Sequence, residues 1–145
     1  MSSQAIQIKK LDPSIQIPEY QTQGSVGFDL AASQDVTINP GEIQLIPTGL
    51  VVKVPVGLML MLVSRSSTPR KKGLTKPHSI GIIDQDYCGE TDELKIQVYN
   101  FTNQPVKIQK GDRIAQGIFV PVVKAQFVEV DSHNQESRGG FGSTG

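Results

Sequence analysis

The sequence contains one cysteine, Cys88, so no disulfide can form within the chain and a reducing compartment is the simpler expectation. Neither sign of charge is in excess, because Lys plus Arg and Asp plus Glu both number 14. That balance argues against a duplex-binding surface and against an acidic solvating tail. No stretch approaches ~18 uninterrupted apolar residues, so no membrane-spanning helix is expected. The opening MSSQAIQIKK lacks the apolar centre of a secretory signal. Internal repeats and long linkers are absent too. A soluble, cytoplasmic protein with neither nucleic acid nor membrane as partner is expected.

The 145 residues suit one domain, which would bury roughly 68–70% of the surface of the unfolded chain. Fourteen glycines and nine prolines separate short runs that alternate or are rich in β-branched residues. These runs are AIQIKKL, DVTI, EIQLIPTGLVVKV, GLMLMLVS, ELKIQVYNF, PVKI, IAQGIFVPVV and AQFVEV, the last covering 125–130. Turns are expected at Asn39–Gly41 and Gln109–Gly111. No helical period persists over three turns, although a short helix is compatible with the pattern. The class is therefore all-β: a sandwich, jelly roll or barrel.

Five clusters join a turn to polar groups that a core does not require. In GSVGFDLAAS, a strand would point Asp29 away from Phe28 and Leu30; an ordinary outward carboxylate fits as well as a functional one. In SRSSTPRKKG, Arg65, Ser66 and Ser67 could cradle an oxyanion at a strand end, with Arg70, Lys71 and Lys72 adding charge; a solvated basic turn is the plainer alternative. In GIIDQDYCGE, Asp84 and Asp86 would share a face if extended and could hold a metal or activate water. The same residues are also common turn formers. KGDRIAQGIF places Asp112 and Arg113 in a turn, with a polar Gln116 following.

The fifth cluster is SRGGFGSTG, which has almost nothing to bury. Its glycines let backbone N–H groups converge on an anion. Ser143 and Thr144 add hydroxyls, Arg138 can clamp a terminal phosphate, and Phe141 can stack on a base.

In this order, GSVGFDL, RSS, GIIDQDYCGE, GDRIAQ and RGGFGSTG resemble the five motifs of the trimeric dUTP nucleotidohydrolases, and they span Gly24 to Gly145. The resemblance implies a jelly-roll-like β-barrel over residues 1–136. It also implies a glycine-rich arm, 137–145, that closes over a neighbouring subunit's site in a homotrimer. The implied reaction is hydrolysis of dUTP to dUMP and pyrophosphate, which keeps uracil out of DNA and supplies dUMP for dTMP synthesis.

By resemblance, Asp84 activates water for attack on the α-phosphorus, and Tyr87 packs under the deoxyribose and excludes a 2′-OH. Backbone groups of Ile80 to Tyr87, including Ile80, Gly81 and Ile83, read uracil. Ser66 and Gln116, with Ser67 nearby, contact phosphates, and Arg65 lies near a subunit interface. Asp29 contacts the water shell of Mg²⁺ held by the three phosphates. In the arm, Phe141 covers uracil and Arg138 reaches the γ-phosphate, with Gly142, Ser143 and Thr144 alongside.

Departures from the family pattern are Cys88 in place of a common arginine and Ser67 in place of a common glycine. The stretch TPRKKGLTKPH is basic, and the GETDELKIQ link is long. His78 stands where some members carry asparagine, and Gly117 is smaller than usual. Two alternatives share the fold: a dCTP deaminase, and a member with an added protein-interaction role.

Overall fold

In a computed structural model, the structure describes residues 4–143. Eleven strands and one five-residue helix make up its regular structure. The strands are β1 (Gln7–Lys10), β2 (Phe28–Ala31), β3 (Val36–Ile38), β4 (Ile43–Pro47), β5 (Leu50–Lys53) and β6 (Leu58–Ser64), followed by β7 (Leu74–Thr75), β8 (Gly81–Ile83), β9 (Lys95–Asn100), β10 (Val106–Ile108) and β11 (Arg113–Pro121). Helix α1 (Thr68–Lys72) lies between β6 and β7. The expected all-β class is correct, and the helix is as short as the missing period required.

Four antiparallel sheets result, ordered β1-β5, β3-β10, β2-β11-β6-β8 and β4-β9-β7. Alternation decides which faces turn inward. Along β9, Ile96, Val98 and Asn100 are buried while the residues between them are not. Along β6, Leu60 and Leu62 point into the core beside Leu30, Ile114 and Ala115. Asn100 is a fully buried polar side chain, and its amide is satisfied by the carbonyls of Ile38 and Gln104. Both expected turns are present, with Gly41 at φ 74° and Gly111 at φ 91°.

Gly117, the small residue after the fourth motif, has a packing reason. A Cβ there would meet the Phe28 ring at 2.5 Å. Phe28 in turn packs edge-on to Tyr20, with ring centroids 5.8 Å apart.

Three short strands lie outside the expected runs: β2, β7 and β8. The opposite error occurs at AQFVEV. Beyond Pro121 the described residues form no strand, and Val123 and Phe127 are each 95% exposed. The segment has the strand pattern but no edge of its own chain beside it, and an unpaired strand is not stable in water. Among the described residues no helix is long and apolar enough to cross a membrane.

Candidate active site

The four-stranded sheet positions most of the candidate residues. Register sets Asp29 on β2 directly opposite Gln116 on β11, and Gln116 opposite Val63 on β6. Arg65 follows the last residue of β6, and Arg113 opens β11 on the neighbouring strand. Asp29 therefore lies between two guanidinium groups. Arg65 Nε donates to Oδ1 at 2.8 Å, and an Arg113 Nη donates to Oδ2 at 3.0 Å.

The Asp29 side chain is 8% exposed. Its strand does point it away from Phe28 and Leu30, but guanidinium groups rather than water cover it. A carboxylate has about four lone-pair sites, so it can still accept from a bound water. Beside this cluster a cleft of about 380 Å³ is lined by residues that include Ser14, Lys110 and Arg113.

Just past Arg65 the chain turns into α1. Ser66 is exposed and Ser67 half-buried, and the Ser67 carbonyl accepts the Lys71 N–H at 2.8 Å. Gly73 closes the helix at φ 66°, and of the basic turn only Lys72 is paired, with Asp112 at 3.5 Å.

The third motif sits elsewhere. Strand β8 pairs antiparallel with β6, Ile83 opposite Leu60 and Gly81 opposite Leu62. Asp84 thus emerges beside the start of β6, where Gln85 Nε2 donates to the Leu58 carbonyl at 2.9 Å. From there to Arg65 is roughly 20 Å along the strand at ~3.3 Å per residue. The segment turns rather than extends, since the Tyr87 N–H donates to the Asp84 carbonyl at 3.3 Å. Asp84 is exposed and belongs to none of the ion pairs among the described residues. The Tyr87 hydroxyl donates to the Glu93 carbonyl at 3.0 Å.

Between the two ends, Ile80 is partly exposed, Gly81 buried and Ile83 half-buried. The turn leading into β8 carries Lys76 and His78. Burial lowers the Lys76 pKa from its ordinary value, and slight burial together with the Lys76 charge lowers that of His78.

Among the described residues, no hydrogen bond or ion pair ties the arm to either end. Arg138, Phe141, Gly142 and Ser143 are exposed, and a local turn closes with the Ser143 N–H on the Gly140 carbonyl at 3.1 Å. Thr144 lies outside the described residues. One chain therefore brings Asp29, Arg65, Ser66 and Gln116 to one end of the sheet and leaves Asp84 and Tyr87 at the other. Among the described residues no three His, Cys, Asp or Glu side chains could hold a metal ion together.

A family model described as dUTPase matches residues 13–145. The chain belongs to the dUTPase family. Deoxyuridine 5'-triphosphate nucleotidohydrolase of Lactococcus lactis subsp. lactis is 44% identical over 140 residues, covering 94% of this chain and 93% of that protein. The protein of the same name from Nautilia profundicola is 42% identical over 142 residues, covering 97% and 98%. Among solved structures, dUTPase from Streptococcus mutans superposes with a TM-score of 0.77 at 33% identity, covering 86% of this chain and all of that one. The dUTPase of Staphylococcus bacteriophage 80alpha, solved with dUpNHpp, superposes with a TM-score of 0.87 at 26% identity, covering 99% of both.

Within this dUTPase chain, sequence reasoning missed two residues. Arg113 stood in a recognised motif, but only strand register shows that it shares Asp29 with Arg65. Glu93 had no signal at all, because its partners are a tyrosine hydroxyl and a backbone N–H.

Proposed function

We infer that the chain works as a dUTP diphosphatase: water attacks the α-phosphorus of dUTP, and dUMP and pyrophosphate leave. Asp84 takes the proton of the attacking water, a role suited to an exposed carboxylate with no cation beside it. Tyr87 packs under the sugar, and the backbone from Ile80 through Ile83 reads the uracil edge. Arg65, Ser66, Ser67 and Gln116 face the phosphates.

The observation that carries this reading is the separation of the two groups. A nucleoside triphosphate needs its base and phosphate ends bound together, and one chain holds the corresponding residues at opposite ends of a sheet. A homotrimer with sites shared between copies brings them together. The sheets then wrap as a jelly-roll-like barrel over 1–136, and the arm 137–145 crosses to a neighbouring site. There Phe141 covers the base, Arg138 reaches the γ-phosphate and Gly142 to Thr144 line the phosphates.

The residues present fit a Mg²⁺ carried by the substrate rather than caged by protein, because Asp29 retains room only for a water-mediated contact. When bound, the ion supplies charge neutralisation on the triphosphate. The reducing cytoplasm is the fitting location for a chain with one free thiol.

The test is to incubate the purified protein and Mg²⁺ with each deoxynucleoside triphosphate and to follow pyrophosphate and ammonia. Pyrophosphate from dUTP alone is expected. Ammonia from dCTP, or turnover of no nucleotide, overturns the reading.

A further inference from the structure

Glu93 lies outside all five motifs, yet it ties the Asp84–Tyr87 turn to the core. Its carboxylate Oε1 accepts the Gly49 N–H at 2.7 Å, while its own carbonyl accepts the Tyr87 hydroxyl at 3.0 Å. Gly49 forms the corner between β4 and β5 at φ 71°, and a Cβ there would meet Ile15 at 2.7 Å. Only glycine suits that conformation and that space.

The corner is fixed by the residue that follows Glu93. The Thr48 N–H and hydroxyl both donate to the Leu94 carbonyl, at 3.2 and 2.7 Å, and the Leu94 N–H donates to the Leu50 carbonyl at 2.8 Å. Thr48 and Leu94 are 1% and 0% exposed. The acceptor of the Tyr87 hydroxyl is thus anchored to one of the most buried corners of the fold.

Tyr87 itself is 39% exposed. A ring so placed, held only through its Cβ, could swing aside under a ligand. Steric exclusion of a hydroxyl is only as strong as the wall's resistance to moving. The hydroxyl bond to Glu93 fixes the far end of the ring.

We propose that Glu93 is a positioning residue that holds Tyr87 as a rigid plate and so sets the discrimination between deoxyribo- and ribonucleoside triphosphates. The proposal rests on the reading of Tyr87 as the sugar plate. It requires no contact between Glu93 and substrate.

The test compares kcat/KM for dUTP and UTP in the native protein and in Glu93→Ala, Glu93→Gln, Tyr87→Phe, Tyr87→Ala and the double variant Tyr87→Phe/Glu93→Ala. Glu93→Ala keeps the carbonyl that accepts the Tyr87 hydroxyl but removes the carboxylate bond to the Gly49 N–H that steadies it. It should lower the dUTP preference by up to roughly tenfold, the weight of that one lost hydrogen bond, with kcat on dUTP within about threefold of native. Glu93→Gln should restore the preference, because its amide oxygen still accepts the Gly49 N–H. Tyr87→Phe should lower it as Glu93→Ala does, and the double variant should be no worse than either single one.

An unchanged preference in Glu93→Ala, or additive effects in the double variant, overturns the proposal. If Glu93→Ala does not fold, Tyr87→Phe decides alone, and an unchanged preference there overturns it equally. If Tyr87→Ala leaves the preference intact, the sugar-plate reading itself has failed, and Glu93 has nothing to position.

Discussion

The two ends of the β2-β11-β6-β8 sheet handle charge in opposite ways. At the Asp29 end the carboxylate is almost covered, and each of its oxygens carries a guanidinium. At the other end, Asp84 is exposed and belongs to no ion pair among the described residues. Paired charges hold a geometry; a carboxylate clear of cations is open to water. Under the proposed function the first end holds phosphates and the second the reacting water.

If that division is right, the largest loss follows from Asp84→Asn. Turnover should fall by roughly 10²–10⁴-fold, the usual span for removing a general base, with nucleotide binding retained by calorimetry. Survival of turnover would remove Asp84 from that role. The sharper form mixes two variants, since the two ends are expected to meet only between copies. Asp84→Asn and Arg65→Ala should each be weak alone, whereas subunits co-refolded in equal amounts should regain about a quarter of native activity by random pairing across a heterologous interface. No recovery in the mixture would place both ends of a site in one copy.

Truncation after Gln135 should come next, with a fall in kcat of about 10²-fold, comparable to the loss of substrate-positioning groups. Circular dichroism and sedimentation should show the β domain still folded and trimeric, because none of the described arm residues packs on the core. An unfolded or monomeric product would make the arm structural instead.

Arg113→Ala should have a smaller effect, raising KM for dUTP roughly tenfold while changing kcat little. Asp29 keeps its Arg65 contact but loses the partner on Oδ2, so the phosphate end loosens without touching the reacting water. Arg113→Lys should recover only part of the affinity, since an ammonium is a point charge where the guanidinium is a fork. An effect on kcat alone would contradict the division between the two ends.

Part of this arrangement is legible in the sequence and part is not. Strands β6 and β9 were legible because alternation over six or seven residues records a buried face, and β5 because a short apolar run is buried on both faces. Strands β7 and β8, at two and three residues, are too short to carry a period. AQFVEV has the pattern without a partner, because pairing depends on which edge is near and composition does not say. Asp29 and Gln116 were legible as polar residues inside apolar runs, and Arg65 as a charge at a strand end. That Arg113 joins them depends on cross-strand register, and that Glu93 matters depends on a backbone N–H 44 positions away.

The smallest effect concerns Lys76, in the turn that enters β8 where Gly81 pairs with Leu62. Lys76 is 6% exposed, and burial lowers its pKa. No buried side-chain nitrogen or oxygen among the described residues lacks a partner, so the ammonium must reach water over an otherwise covered stem. Lys76→Met keeps an unbranched apolar stem and removes the head, and should stabilise the fold by about 1 kcal/mol at neutral pH, the low end of the cost of burying a polar group without a partner. The sign with pH follows from the lowered pKa. Below the folded value both folded and unfolded chains hold the proton and the full penalty applies. As pH rises through the folded value, the native state sheds its proton first, and native stability rises towards that of the variant. Thermal melts at pH 7 and near pH 10 should therefore show a gap that narrows at the higher pH. A gap independent of pH would mean that Lys76 costs nothing as a charge.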